Sequence, residues 1–270
     1  MHRAVIVVPC YNEAQRLDVA GFGAFAGHPD VGLLFVDDGS TDETAAVLER
    51  LCAGARGQAG LYRLDRNRGK AEAVRLGMRK ALEDGARLTG YFDADLATPP
   101  AEMLRLLDHL ADSRTDVALA ARVLLLGTDI VRKPLRHYLG RIFATCASFC
   151  LGIAVYDTQC GAKVFRRTPA LEAALDEPFL ARWAFDVELI GRLLTGTAAQ
   201  PGVPVARFVE MSLQQWHDVA GSKIRLLDFP RMGVELWRIW CDLRRRRRAL
   251  GNQSSVLALP AVRTTQRKAS

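Results

Sequence analysis

Histidine is sparse in this 270-residue chain: five in all, scattered, so a zinc cluster is not expected. Cysteine is little more abundant. None of the six forms a CxxC pair, and Cys146 and Cys150 sit four apart in an apolar stretch, which reads as reduced core thiols in a cytosolic protein. No run of about 18 uncharged apolar residues occurs, so no transmembrane helix is expected. The N-terminus enters "AVIVVP" directly, without a basic-apolar-small leader, so no secretion signal is expected. A GxxxxGK[ST] loop is missing, which disfavours a P-loop ATPase. "GFGAFAG" (21–27) mimics a dinucleotide loop, but it follows a helical stretch rather than a strand and its spacing is one residue too long.

What is present is a balanced globular composition, 49% hydrophobic and 25% charged. That suits one large soluble domain, or one domain with an appendage. The net charge of +7 is unevenly placed: Lys223 to Ser270 holds twelve Lys/Arg against three Asp/Glu, +9, which leaves −2 for residues 1–222. A local basic patch or tail follows, not a broad nucleic-acid-binding face.

The first 122 residues alternate strand-like and helix-like segments. "AVIVVP" (4–9) is a continuous apolar run, as in a strand covered on both faces. A helical stretch from about Glu13 follows. "GLLFVDD" (32–38) predicts a second strand, and Ser40 with Glu43 offers a capping box for the next helix. "GLYRLD" (60–65), "LTGYFDAD" (88–95) and "DVALAAR" (116–122) predict further strands, separated by helices at 69–85 and from Pro99. This order implies an α/β fold, a mostly parallel sheet flanked by helices. Beyond Arg122 the regularity breaks. A strand is expected in "DTQCGAKVFRR" (157–167), a helix at 181–196, a strand at 203–211 and a loop at 216–223. Residues 224–248 read as a basic amphipathic helix, and 249–270 as a disordered tail.

Ligand sites in such sheets lie at the carboxyl ends of the strands. Every strand here delivers polar groups to that edge: Pro9 to Glu13, Asp37 to Ser40, Asp65 to Lys70, Asp93 with Asp95, and Arg122. Two carboxylates two residues apart repel each other unless a cation joins them. Carboxylates are ligands for Mg²⁺ or Mn²⁺, and Mg²⁺ is typically held by one or two of them together with substrate phosphates. Taken singly, the same pair would serve as a solvated turn before the helix at Pro99.

"VVPCYNE", "VDDGSTDET", "NRGKAEAVRLGM", "DADLATPP" and "DTQCGAKVFRR", in this order, resemble family-2 inverting glycosyltransferases of the GT-A fold. The branch is similar to dolichyl-phosphate glucosyltransferases and polyprenyl-phosphate mannosyltransferases, over about residues 4–223. The resemblance implies that Pro9, Tyr11, Glu13 and Asp38 hold the nucleoside of a nucleotide-diphosphate sugar, with Asp37 in support. It puts Arg68, Gly69 and Lys70 on the base and sugar side. Asp93 and Ala94 would lie beside ribose and metal, with Asp95 as the metal ligand proper. Arg122, Arg132 and Lys163, with Arg136 near them, would face phosphate or acceptor. In "WHDVAGSK", His217, Ser222 and Lys223 would close over the diphosphate. Mannosyl relatives look to have arginine at the place of His217, which favours UDP-glucose over GDP-mannose as donor.

Asp186 and Glu188 start a helix in "WAFDVE". A hydroxyl acceptor requires a carboxylate base. A lipid phosphate, with a second pKa of roughly 6, is already an oxyanion. The reading is a polyprenyl phosphate acceptor, with Asp186 positioning it or serving as an optional base. A soluble hydroxyl acceptor is the alternative, and a non-enzymatic nucleotide-sugar-binding or membrane-scaffold module a remote one. Leu226, Phe229, Gly233, Leu236, Trp237, Trp240 and Leu243 recur at helical spacing, with Arg231, Arg238 and Arg245 on another face and arginines from 244 to 248. That pattern suits peripheral contact with an anionic membrane, on its cytoplasmic side, or packing on the enzyme body. The apolar stretch 138–156 suits a lipid-chain groove or core.

Overall fold

The computed structural model describes residues 3–112, 114–131, 134–217 and 229–251. Seven strands make one sheet: β1 (Ala4–Cys10), β2 (Val31–Asp37), β3 (Ala59–Arg63), β4 (Leu88–Phe92), β5 (Val117–Ala121), β7 (Ala162–Arg166) and β8 (Phe208–Ser212). Their spatial order is β3-β2-β1-β4-β7-β5-β8, and β7 runs antiparallel to both of its neighbours while every other pairing is parallel. β6 (Asp129–Val131) and β9 (Gln215–His217) pair separately as a short parallel ribbon. The helices are α1 (Val19–Phe22), α2 (Thr44–Gly54), α3 (Lys70–Glu83), α4 (Pro100–Asp112), α5 (Pro134–Leu151), α6 (Pro169–Asp176), α7 (Phe185–Thr195) and α8 (Phe229–Ala249).

The unbroken apolar runs reflect two covered faces. Ile6, Val8, Phe35, Phe92 and Ala118 point to one side, where Phe22, Phe25, Leu48 and the α4 residues Met103, Leu106 and Leu110 pack. Val7, Val36, Tyr91, Leu119 and Phe165 point to the other, against residues of α3, α5, α6, α7 and α8.

Three local expectations are corrected. The helical stretch from Glu13 is reduced to a turn, the four-residue α1 and a 3₁₀ segment over 23–27. Its glycines disfavour helix, and Gly21 lies so close to Leu96 that an added Cβ would fall 2.4 Å from Leu96 Cδ1. "GFGAFAG" is thus a packing element, with Phe22 edge-on to Phe35 and Phe25 edge-on to Phe92. The Ser40–Glu43 capping box does not form. Ser40 Oγ accepts from Asn12 N at 3.0 Å instead, and Asp42 Oδ1 accepts from Thr44 N at the start of α2. The loop after β1 has no strand partner for its amides, and Asn12 N takes the hydroxyl that the capping box would need.

The third correction concerns α8. Met232, Leu236, Ile239 and Leu243 are buried against the body, and Gly191 of α7 leaves room for Leu243. Of the stripe expected at a membrane or on the enzyme body, Leu236 and Leu243 are used in packing. Trp237, Val234 and the cationic residues Arg231, Arg238, Arg244, Arg245 and Arg248 remain exposed. Residue Leu226 and the tail 252–270 lie outside the described residues.

α8 also completes α7. The N-cap position of α7, Ala184, has no side chain to satisfy the free amides of the first turn. Glu235 of α8 instead holds the turn that leads into α7, accepting from the amides of Arg182 (3.3 Å), Trp183 (3.0 Å) and Ala184 (2.8 Å). Removing an acceptor and leaving its donors unsatisfied costs about 1–3 kcal/mol, so Glu235→Ala is expected to lower the unfolding free energy by about that much, measured by urea denaturation.

Candidate active site

The loops after β1, β2, β3 and β4 converge at one edge of the sheet. Asn12 adopts a left-handed φ of 52°, a conformation asparagine tolerates better than most residues. Its side chain repays this by accepting from Thr41 N at 2.9 Å, which laces the first loop to the second. Glu13 N donates to Thr44 Oγ1 at 2.8 Å, and the Glu13 carboxylate lies 3.6 Å from Arg16. Pro9 and Tyr11 flank this crossing, half-buried.

Asp37 is buried and turns its chain by accepting from Ser40 N at 3.0 Å, which suits the supporting part given to it. The resemblance puts Asp38 on the nucleoside; the structure shows what holds its carboxylate. It is buried, and its two oxygens accept from the amides of Arg68 (2.7 Å) and Gly69 (2.8 Å). Asp38 is the clasp of the 65–69 loop. Burial raises its pKa, while the two amides and Arg182 work the other way. Gly69 needs its residue type: φ is +92°, and a Cβ there would meet the Arg182 guanidinium at 3.1 Å. Arg68 turns outward to Asp65, 2.7 Å away.

The acidic turn follows β4. Asp93 Oδ1 pairs with Lys70 Nζ at 2.5 Å, at the first residue of α3. Asp95 Oδ1 accepts from Ala97 N at 3.1 Å, and Leu96 between them is left-handed, φ 51°. A bulky residue in that region is strained. Ala94 is buried and points into the core. Burial raises the Asp95 pKa, and the charge of Asp93 raises it further. The pair is therefore short of positive charge. Among the described residues no three His, Cys, Asp or Glu gather as a preformed cage. Two carboxylates fit Mg²⁺ or Mn²⁺ whose remaining ligands come from a diphosphate and water.

Behind Asp93 lies a buried ionic centre. Lys163, from β7, has no exposed surface; its Nζ donates to Asp186 Oδ1 at 2.6 Å and to Cys160 O at 2.5 Å. Tyr91 Oη donates to the same Asp186 oxygen, and Lys163 lies 5.1 Å from the centre of the Tyr91 ring. Burial lifts the Tyr91 pKa, and the charge of Asp186 adds to it. Lys163 is thus corrected: it cannot face an acceptor phosphate, because an inward-pointing residue of a central strand has no route to solvent. Burial weakens the Lys70 ammonium, but Asp93, Asp186 and Asp95 outweigh that and hold its pKa above the ordinary value.

Arg122 ends β5 but is committed to Asp157, with Nε–Oδ2 at 2.7 Å and Nη2–Oδ1 at 2.9 Å, while its guanidinium stacks over Trp216 at 5.3 Å. Asp157 in turn hangs from Glu210, which accepts from the amides of Tyr156 and Asp157. His217 also takes a structural partner: its Nε2 lies 2.8 Å from Asp129 Oδ2, and its amide donates to Ala97 O. The ribbon is thereby docked on the acidic turn. Arg132, Ser222 and Lys223 lie outside the described residues. Glu188 is structural, buried and paired with Arg192 at 2.6 Å.

Residues not foreseen include Tyr91, Asp157, Arg182 and Gly161. Gly161 is the most telling. It lies against Asp93, and a Cβ there would fall 2.1 Å from Asp93 Oδ2. Its signal was present in "DTQCGAKVFRR", where a glycine ends a polar turn before a strand.

A model of glycosyl transferase family 2 matches residues 5–172. The chain is 30% identical over 256 residues to the dolichyl-phosphate β-glucosyltransferase of Saccharomyces cerevisiae, covering 86% of this chain and 72% of that protein. It is 32% identical over 260 residues to the Drosophila melanogaster protein of the same name, covering 87% and 73%. Polyprenol monophosphomannose synthase of Mycolicibacterium smegmatis is 28% identical over 223 residues, with 83% of each chain covered. Among solved structures, glucosyl-3-phosphoglycerate synthase of Mycobacterium tuberculosis bound to uridine diphosphate superimposes with a TM-score of 0.63 at 16% identity, over 90% of this chain and 80% of that one. That likeness shows the GT-A fold.

Gly161→Ala is expected to push the Asp93 carboxylate aside. Family-type transfer should fall by about two orders of magnitude, because angstrom-scale misplacement costs about 10²-fold. Circular dichroism and the melting temperature should stay near wild type. Retained activity would mean that the Asp93 position is not critical.

Proposed function

The chain belongs to glycosyl transferase family 2, and from that premise we propose that it transfers glucose from UDP-glucose, with inversion, to a polyprenyl phosphate. The observation that carries this reading is the Lys163–Asp186–Tyr91 centre. The one oxygen of Asp186 that holds both partners is already engaged by an ammonium and a phenol. Drawing a proton onto this carboxylate would leave the Lys163 charge buried without its counter-ion, an expensive change. A site so built favours an acceptor that arrives deprotonated. A phosphate monoester, with a second pKa of roughly 6, does so at neutral pH. Asp186 then acts as a positioning group held by Lys163 and Tyr91, not as a base.

The relatives support the acceptor class from another direction: glucosyl and mannosyl relatives alike carry a dolichyl-phosphate or polyprenol name. Glucose is favoured because the glucosyl names recur among the relatives. GDP-mannose remains the second donor to test, given the mycobacterial relative.

Asp95 and Asp93 would hold Mg²⁺ or Mn²⁺. Solved relatives of this fold were crystallised with Mn²⁺ and UDP-glucose. The ion would neutralise the departing diphosphate. Lys70, facing Asp93, keeps that carboxylate fixed and adds positive charge beside the leaving group. The 65–69 loop, clasped by Asp38, forms one wall of the donor pocket, and the Asn12–Thr41 crossing forms another.

A lipid acceptor places the enzyme at a membrane. No helix among the described residues is long and apolar enough to cross one. Peripheral attachment at the cytoplasmic face is supported by the exposed Trp237 and the cationic face of α8, where each basic residue near an anionic surface contributes about 1 kcal/mol.

Two acceptors separate the readings without mutating the buried centre. Incubated with UDP-glucose and Mn²⁺ or Mg²⁺, the protein should glucosylate a short polyprenyl phosphate and leave the corresponding polyprenol untouched. Transfer to the alcohol at a comparable rate would overturn the phosphate reading in favour of a hydroxyl acceptor.

A further inference from the structure

Residues 122–157 form an excursion that leaves the sheet at β5 and returns at the same point. Its base is closed by Arg122, whose amide and guanidinium both bind Asp157. At its near end stand three consecutive leucines with exposed side chains: Leu124 is 64% exposed, Leu125 49% and Leu126 105%. They are not on a loose loop. Thr128 Oγ1 donates to Leu125 O at 2.8 Å and accepts from Leu125 N at 3.0 Å, and Thr128 N donates to Leu125 O as well. Gly127, at φ +86°, provides the turn. Beyond it, Asp129 enters the β6–β9 ribbon. The apolar tip is thus fixed between two anchored ends, and from Val123 to Thr128 it carries no charge.

Further along the same excursion, α5 exposes Tyr138 (69%), Ile142 (63%) and Phe149 (78%). At 100° per residue these lie within about 40° of one another on the helix. Their neighbours Phe143, Ala147 and Cys150 face the core. Runs of exposed apolar residues are rare on soluble enzymes unless they bind something.

We infer that the leucine tip Leu124–Leu126 inserts into the hydrocarbon layer of the bilayer, beside the acceptor site, as a contact independent of the basic helix α8. This deepens the polyprenyl phosphate reading and rests on it. The acceptor's tail lies in the bilayer, whereas its phosphate must reach the carboxyl edge of the sheet. The tip follows Arg122 directly, so it leaves that edge. Fixing the hydrocarbon layer there lets the phosphate enter the site without the tail being drawn out of lipid. An uncharged tip bordered by an ionic base fits such a boundary, since charge stays at the headgroups and leucine below them.

The test is co-sedimentation with vesicles of zwitterionic phosphatidylcholine, where the cationic helix gains little. Wild type should bind, Leu124→Ser/Leu125→Ser/Leu126→Ser should lose about tenfold in partition coefficient, and Leu126→Ser alone about threefold. Leu126 touches nothing in the fold, so the single variant keeps the test open if the triple one folds poorly. In parallel, turnover of a long-chain polyprenyl phosphate in the same vesicles should fall with binding, whereas a short, water-soluble prenyl phosphate should be used within about twofold of wild type. Wild-type protein that ignores the vesicles, or variants that bind as wild type does, would overturn the inference. Equal loss on the soluble acceptor would overturn it too, because the leucines would then hold the acceptor itself. Vesicle binding that depends on the leucines, in a protein that uses no prenyl phosphate, would instead sink the acceptor reading alone.

Discussion

A buried ammonium governs the centre of this protein. Lys163 points inward from β7, the antiparallel strand inserted between β4 and β5, and has no exposed surface. Burying a charge is tolerated only with a partner and satisfied hydrogen bonds. Asp186 is that partner, so the first turn of α7 must lie over β7. Cys160 O takes a second proton of the ammonium, which fixes the turn before β7. The turn that leads into α7 is in its turn held by Glu235 of α8. A helix far along the chain is therefore required to place a carboxylate in the middle of the sheet. Tyr91 ties the same carboxylate to β4, the strand that ends in the acidic turn.

That linkage explains why the acidic turn can hold its shape. Asp93 and Asp95 repel each other, and Leu96 stores backbone strain beside them. The turn is held from three sides. Lys70 fixes Asp93, His217 N grips Ala97 O, and the bare face of Gly161 receives the Asp93 carboxylate. Glu102, buried at the start of α4, accepts from the amides of Gln214 and Gln215 and so holds the ribbon that makes the second of these contacts. Strain and like charge are concentrated where a cation and a diphosphate would relieve them.

The parallel half of the fold was legible because its strands are covered on both faces, which leaves long apolar runs bounded by turn residues. The convergence of polar groups at one edge followed from strand direction alone. Partner choice was not legible. Nothing in "AKVFRR" distinguishes a lysine that faces solvent from one that faces Asp186, since the answer depends on β7 being a central strand and antiparallel. The clasp that Asp38 makes was hidden for the same reason: its two amide partners come from a loop about 30 residues away. The α8 stripe was correctly seen as apolar, but periodicity cannot tell a helix that packs on its own body from one that lies on lipid. The Ser40 cap failed because the first loop competed for the same hydroxyl.

The charge around the centre points to where an acceptor phosphate can be received. Asp93, Asp95 and Asp186 outnumber Lys70 and Lys163 by one. A metal-bound diphosphate brings little net positive charge, so an incoming phosphate meets no cationic surplus there. Arg122 is already balanced by Asp157. The positive charge that attracts an acceptor must therefore come from outside this cluster. In the sequence, Arg132 and Lys133 fall between the leucine tip and α5, Arg136 within the first turn of α5, and Lys223 after the ribbon. Those residues flank the exposed leucines along the chain. With the tip in hydrocarbon, as inferred above, the chain runs from an apolar segment to a cationic one, while the sheet edge that would hold the metal is acidic. That is the order in which a polyprenyl phosphate itself changes from tail to phosphate to new sugar bond, and it needs no group on the protein to remove a proton.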